Sequence, residues 1–463
     1  MTLTQENLFR KRRLAGFVTL IPAKAGAHAS EQGLVLLLPT DVYISAGAAS
    51  VAATVLLLAL VPERWLARLF APLWLGRWRR GHWRVVSSLA SFAVLMALLW
   101  AGIAGARDPL SNPLPLAVWT VWWIGFTVAV GTLGDLWAWL NPWSGPAAVL
   151  RALGLRSSWH LPHRVAPWLA LAGFLGFGGF LLADPAPSDP ARLARVVGLY
   201  WLAAFLGTLA FGPRFLLRAE AFSVFFRAYA RLGLFARGRV GLTGWQILRM
   251  RAPSVGLAVF MVVLLGSGSF DGLNETFWWL AHIGMNPLEF PGRSAVVFQN
   301  LAGLYGANLM LVAAFALVVR LGIVLAGGGI GWAEGFCRFA PTILPIALGY
   351  HVAHYLTALL VDGQYALIAG SDPLARGWDL LGLGTFYVTT GFFNTTATVK
   401  VIFLTQAGAV IVGHMLSVVL AHAIALRAFP SPRRALLSQL PMAAFMVAYT
   451  LFGLWLLASP RGA

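Results

Sequence analysis

The chain has 463 residues, with 34 Lys and Arg against 16 Asp and Glu, and a formal net charge of +18. In a soluble protein that excess would point to nucleic acid, but 59% hydrophobic and only 11% charged residues leave more apolar surface than a water-soluble fold of this length can hide. The composition therefore predicts an all-α polytopic membrane protein with the lipid bilayer, and no nucleic acid, as its partner. The single Cys337 excludes an internal disulfide framework, a Cys-based zinc site and an iron–sulfur cluster held by this chain alone.

In chain order, the first feature is a basic stretch, Arg10 to Arg13, followed by a short apolar run from Leu14 to Ile21. Ala23-Lys24-Ala25 and Ala25-Gly26-Ala27 then offer small-residue cleavage sites. The run is too short to span a bilayer, so residues 1–27 read as a secretory signal peptide and residues 28–463 as a single transmembrane domain. Cleavage after Ala27 would place His28 at the N-terminus, where its free amine and imidazole together suit copper. An uncleaved leader would leave His28 without a role.

Ten apolar runs of about 20 residues follow, at about 41–61, 87–106, 115–134, 165–183, 195–212, 254–269, 299–325, 340–361, 401–426 and 440–458. Pro39-Thr40-Asp41 fits the start of the first helix, with Asp41 near its cap. Gly173, Gly176, Gly178 and Gly179 suit close packing of the fourth span. The sixth run is short and ends in Gly266-Ser267-Gly268-Ser269, which predicts a helix that stops inside the membrane and lines a cavity. Between the fifth and sixth runs, residues 216–235 place Phe222, Phe225, Phe226, Tyr229 and Leu232 on one side of a helix, with Arg227 and Arg231 elsewhere. That pattern predicts an interfacial helix on the inner leaflet. The loop at 362–400, rich in Thr and aromatics, reads either as a lid or as a plain cover.

Basic residues gather in the loops after the first, third, fifth, seventh and ninth spans, as in Arg64 to Arg84 and Arg214 to Arg251. The intervening loops hold few. Arg and Lys mark the cytoplasmic side, so both mature ends are expected to face outward.

No Walker A, His-Glu-x-x-His or Gly-x-Ser-x-Gly pattern is present. The chemistry-bearing signal is histidine inside spans: His351 and His354 in Gly349-Tyr350-His351-Val352-Ala353-His354-Tyr355, and His414 and His422 in the ninth span. At 1.5 Å rise per residue, His351 and His414 differ by only about 5 Å in depth, so His351, His354 and His414 are expected to converge. Three readings stand: a divalent metal site, with Zn or Cu foremost; a hydrogen-bonded core without metal; and a haem centre. His422 lies near the inner interface and reads as structural, and His82, His160 and His163 as solvated. On the outer side lie Asp41, Asp271, Asn274, Glu275, His282, Gln299, Asn300 and Asp362, with Asn308 deeper. Of these, Asp271 beside the short sixth span is the first choice as general base on an activated water. Gly134-Asp135-Leu136-Trp137 and Asn141-Pro142-Trp143, which end the third span, read as structural.

Several short stretches resemble a family of bacterial multi-span proteins known as fenitrothion hydrolases. They are Ala27-His28, Leu38-Pro39-Thr40-Asp41, Leu140-Asn141-Pro142-Trp143, Ser269-Phe270-Asp271-Gly272-Leu273, Gly349 to His354, Gly413-His414 and Ala421-His422. The resemblance implies a membrane-bound organophosphate hydrolase in the bacterial cytoplasmic membrane, acting on a small apolar substrate, with a companion membrane subunit. The chemistry consistent with it is metal-assisted hydrolysis, with His351, His354 and His414 as ligands and Asp271 as base. Two rivals use the same residues. A transporter would surround a midplane site with the short sixth span and the Pro341- and Pro345-containing eighth. A redox or metal-handling protein would hold copper or haem on the histidines, together with His28.

Overall fold

The computed structural model describes residues 34–35, 37–76, 81–155, 159–289 and 292–461. The expected signal peptide over 1–27 and His28 lie outside the described residues. Among those described, ten helices are long and apolar enough to cross a membrane. They are α1 Thr40–Leu58, α2 Trp83–Ala104, α3 Pro113–Leu133, α4 Ala166–Ala183, α5 Pro190–Phe211, α6 Val255–Leu273, α7 Val297–Leu325, α8 Trp332–Ser371, α9 Thr396–Ala428 and α10 Pro432–Ala458. The fold is an all-α, multi-pass membrane bundle.

α6 is the most enclosed of the ten, with α4, α7 and α8 packed around it. It does not stop at the Gly-Ser-Gly-Ser stretch but continues as helix to Leu273. The small residues serve packing instead. Asn308 of α7 lies over Gly266, and its amide donates to Ser267 Oγ at 3.1 Å. An unbroken helix also keeps its backbone groups paired where no water can reach them.

α8 and α9 approach backbone to backbone. A Cβ on Gly349 would overlap the Ala409 carbonyl, and one on Gly413 would fall 2.6 Å from the carbonyl oxygen of Pro345. α8 itself is built in pieces: a helix Trp332–Phe339, a 3₁₀ turn Ala340–Ile343 and a long helix Leu344–Ser371. Pro341 and Pro345 sit in the first turns of the second and third pieces, where a missing N–H costs nothing. The break therefore lies at the Arg-rich end and not beside the histidines.

Two departures from expectation shape the centre. The middle of α3, Leu116–Phe126, is π-helical, a wide winding that is rare and concentrates at functional sites. Asn112 caps the start of α3, its Oδ1 accepting from the Leu114 N–H at 3.0 Å. The second departure is the segment expected on the membrane surface. Helix Ala221–Tyr229 is buried on nearly every side. Phe225 stacks on Trp123 and Phe174, near the middles of α3 and α4, with ring centroids 5.3 and 5.6 Å away. Its aromatics thus bury against the bundle and not into lipid headgroups, and the helix inserts from the Arg-rich end to about half depth. Glu220 starts it, accepting from the N–H groups of Phe222 and Ser223 at 2.9 and 2.6 Å.

At the Arg-rich end a small antiparallel sheet, β1 Leu73–Trp74, β2 Phe235–Ala236 and β3 Arg239–Val240 in the order β1-β3-β2, ties the loop after α1 to that after the inserted helix. At the other end the loop expected from 362 is still helix, α8 running on to Ser371, and only residues 372–395 fold back on α8 and α9. Phe393 is fully buried with Val361 and Ile402, and Gln364 exchanges hydrogen bonds with the Thr389 backbone.

Candidate functional site

Helical phase decides which α8 side chains meet. Pro345, Gly349 and Ala353 form the stripe against α9, where Gln406 donates to the Ala353 carbonyl at 2.8 Å. His351 stands two residues beyond Gly349, about 200° round the helix, and so faces α3. Its ring meets Trp123 edge-on, with centroids 5.3 Å apart. His354 and Tyr355 face α6, where both reach Asp271. His354 Nε2 lies 3.3 Å from Asp271 Oδ2, and the Tyr355 hydroxyl donates to the same oxygen. Asp271 is 8% exposed. A carboxylate without partners there would be costly, and the contacts from Tyr355 and His354 offset part of that cost.

With Nε2 turned to Asp271, the other ring nitrogen of His354, Nδ1, faces Gly272, whose added Cβ would lie 3.7 Å away. His351 is 7% exposed and its Nε2 has no hydrogen-bond partner. Both histidines, Asp271 and Tyr355 line a cavity of about 30 Å³, whose remaining wall mixes small and aliphatic residues with aromatic ones: Phe174 and Phe177 from α4, Trp123 from α3, and Phe225 and Tyr229 from the inserted helix. That volume holds about two waters. A second, smaller cavity of about 20 Å³ shares Gly268, Tyr350 and His354 with the first and reaches Arg461 past the end of α10. His354 therefore stands between two cavities.

His414 does not join this group. It faces the opposite flank of α8, between Tyr350 and Tyr449, with ring centroids 6.4 and 6.3 Å away. It is fully buried; Nδ1 meets the Val410 carbonyl at 2.9 Å and Nε2 has no partner. The expected centre of His351, His354 and His414 is thus divided by the body of α8: similar depth does not bring side chains together when they leave the helix on different faces. Among the described residues no three His, Cys, Asp or Glu gather so as to hold a metal ion. Among the described residues, His351, His354 and His414 thus form no shared shell for one Zn or Cu ion.

The remaining polar residues have structural partners or lie outside the site. Asn274 donates to the Asp271 carbonyl at 3.1 Å, and Asn300 accepts from Trp279 Nε1 at 3.1 Å. His282 and Asp41 are exposed, and neither these nor Glu275, Gln299 and Asp362 line either cavity. His422 bonds Gln439 at 3.2 Å near the Arg-rich end. The Asn141 motif is a turn: Ser144 N–H donates to Asn141 Oδ1 at 3.0 Å. Residues of the 372–395 loop line neither cavity, so that loop covers the ends of α8 and α9 without closing the site. Sequence reasoning missed Tyr355, although it stands next to His354 and one turn after His351. It also missed Trp123 and the inserted helix, whose apolar face gave no sign of pointing inward.

No protein-family model, no curated protein and no solved structure matches the chain.

Proposed function

We propose that the chain is a membrane transporter whose substrate site is the cavity around Asp271 and His354. The observation that carries this reading is an ionisable pair inside the bundle, Asp271 on the wall of one cavity and His354 between that cavity and a second. Two further features support it. A helix inserted to half depth floors the larger cavity, and α3 winds irregularly where it meets His351. Irregular or partial helices at membrane depth are tolerated where they surround a substrate path. The Arg distribution supports a bacterial cytoplasmic membrane with the Arg-rich loops inside and both mature ends outside.

The test is flux. Protein reconstituted in liposomes on a solid-supported membrane should give substrate-driven currents or uptake with at least one class among organic cations, organic anions and neutral polar solutes. Asp271→Asn, inserted and monodisperse, should give none. Wild-type signals equal to those of empty liposomes for all three classes would sink the reading.

A second reading, hydrolysis of a neutral aromatic phosphotriester, draws support from His354 and from the short stretches that resemble fenitrothion hydrolases. Asp271 orients one imidazole nitrogen and leaves the other placed as a general base for water. A neutral apolar ester also crosses a bilayer unaided, so it calls for an enzyme and not a carrier. Release of nitrophenolate from paraoxon by the purified protein, lost in His354→Gln, would favour this reading over transport.

A further inference from the structure

Resting on the transporter reading, we infer that the cavity recognises a protonated aromatic amine. Three observations converge on that class. Among the described residues, Asp271 is the one carboxylate on the cavity wall, and no Lys or Arg lines it. Both of its side-chain contacts, from Tyr355 and His354, fall on Oδ2, and neither takes Oδ1. The rest of the wall is rich in π faces, which attract a cation and pack against an aromatic body.

The third observation, after the carboxylate and the π faces, concerns His351. The residue lines the cavity, and its buried Nε2 has no hydrogen-bond partner among the described residues. A buried ring nitrogen is costly to leave unsatisfied, and an ammonium N–H supplies the donor it lacks when that nitrogen is unprotonated. A carboxylate, an aromatic wall and an orphan acceptor together select charge, ring and N–H in one molecule. A neutral alcohol would lack the charge. A carboxylic acid would be repelled by Asp271. A quaternary ammonium would keep the charge but offer His351 nothing. The present cavity has room for about two waters, so the amine enters as the walls part.

The probe is 2-phenylethylamine, which is cationic at neutral pH, titrated calorimetrically into the purified, detergent-solubilised full chain. Three molecules with the same phenylethyl body serve as comparators: 2-phenylethanol, 3-phenylpropanoate and trimethyl(2-phenylethyl)ammonium. The amine should bind at least about tenfold more tightly than the alcohol, a difference readily measured, and the propanoate should not bind. The quaternary ion should fall between amine and alcohol. Asp271→Asn should reduce the amine to the level of the alcohol, and His351→Phe should erase the advantage of the amine over the quaternary ion. Equal affinity for amine and alcohol, or amine binding untouched by Asp271→Asn, overturns the inference. Should Asp271→Asn fail to fold, the ranking of the four molecules on the wild-type chain decides alone. The outcomes separate this inference from the reading beneath it. Amine-selective binding without flux of any solute overturns transport and leaves the site standing. Flux with no preference for the amine overturns the site and leaves transport.

Discussion

Glu220 shows how one residue places an element. It is buried at the root of the inserted helix, where its oxygens satisfy two backbone N–H groups and accept from the Tyr200 hydroxyl. The aromatics that follow could not sink into the bundle with those donors left bare. Glu220→Ala should therefore destabilise the protein by about 2 kcal/mol, from the lost cap and the orphaned donors, while Glu220→Gln should cost less. Thermal unfolding followed by tryptophan fluorescence in detergent measures both, and an alanine variant as stable as wild type would remove Glu220 from this role. At the same scale, Asp271 and the two α8 histidines were legible as residue types, because polar groups inside spans are few. Their pairing was not legible. Whether His354 meets Asp271 or His414 depends on how α8 is rotated, and Gly349 and Gly413 fix that rotation by letting α9 approach on one flank.

Among the elements, straight spans were readable from hydropathy, and interruptions were not. The π-helical stretch of α3 carries no sequence signature, since its Leu, Val and Trp residues would suit an ordinary helix. Residues 221–229 have the moment of a surface helix, yet their apolar face is met by Trp122, Trp123, Phe174 and Phe177. An amphipathic pattern says that one face seeks an apolar medium, and both lipid and a bundle supply one. The 372–384 loop is held differently, by carboxylates. Asp372 accepts from the N–H groups of Arg376 and Gly377, and Asp379 from those of Gly384 and Leu383 and from Ser371 Oγ. Backbone donors hold both carboxyls below the usual aspartate range. Because the folded values are lowered, the stabilisation is complete above the ordinary value near 4 and is lost as pH falls through the folded values. Hydrogen exchange in this loop should be unchanged between pH 5 and 8, once corrected for intrinsic rates, and should rise below about pH 4. Asp379→Asn should exchange fast throughout. Protection that fades between pH 8 and 5 would contradict the assignment.

For the molecule as a whole, the excess of Arg acts as a label for one end of the bundle. On the proposed orientation, a Cys337→Ser background carrying Tyr387→Cys, at a position 81% exposed, should react with a membrane-impermeant maleimide on intact cells. Arg68→Cys, exposed after α1, should react only once the cells are opened, and the reverse pattern would invert the topology. Composition, hydropathy and charge determined the all-α class, the ten spans and the rank of Asp271, His351 and His354 as candidates. They could do so because burial in lipid acts on each residue separately and leaves its mark in local sequence. Only the tertiary structure decided that His414 stands apart, that Tyr355 and Trp123 belong to the site and that an inserted helix floors it. Those outcomes turn on helix rotation and on which of two apolar surroundings a face meets. Both are settled by contacts between segments far apart in the chain.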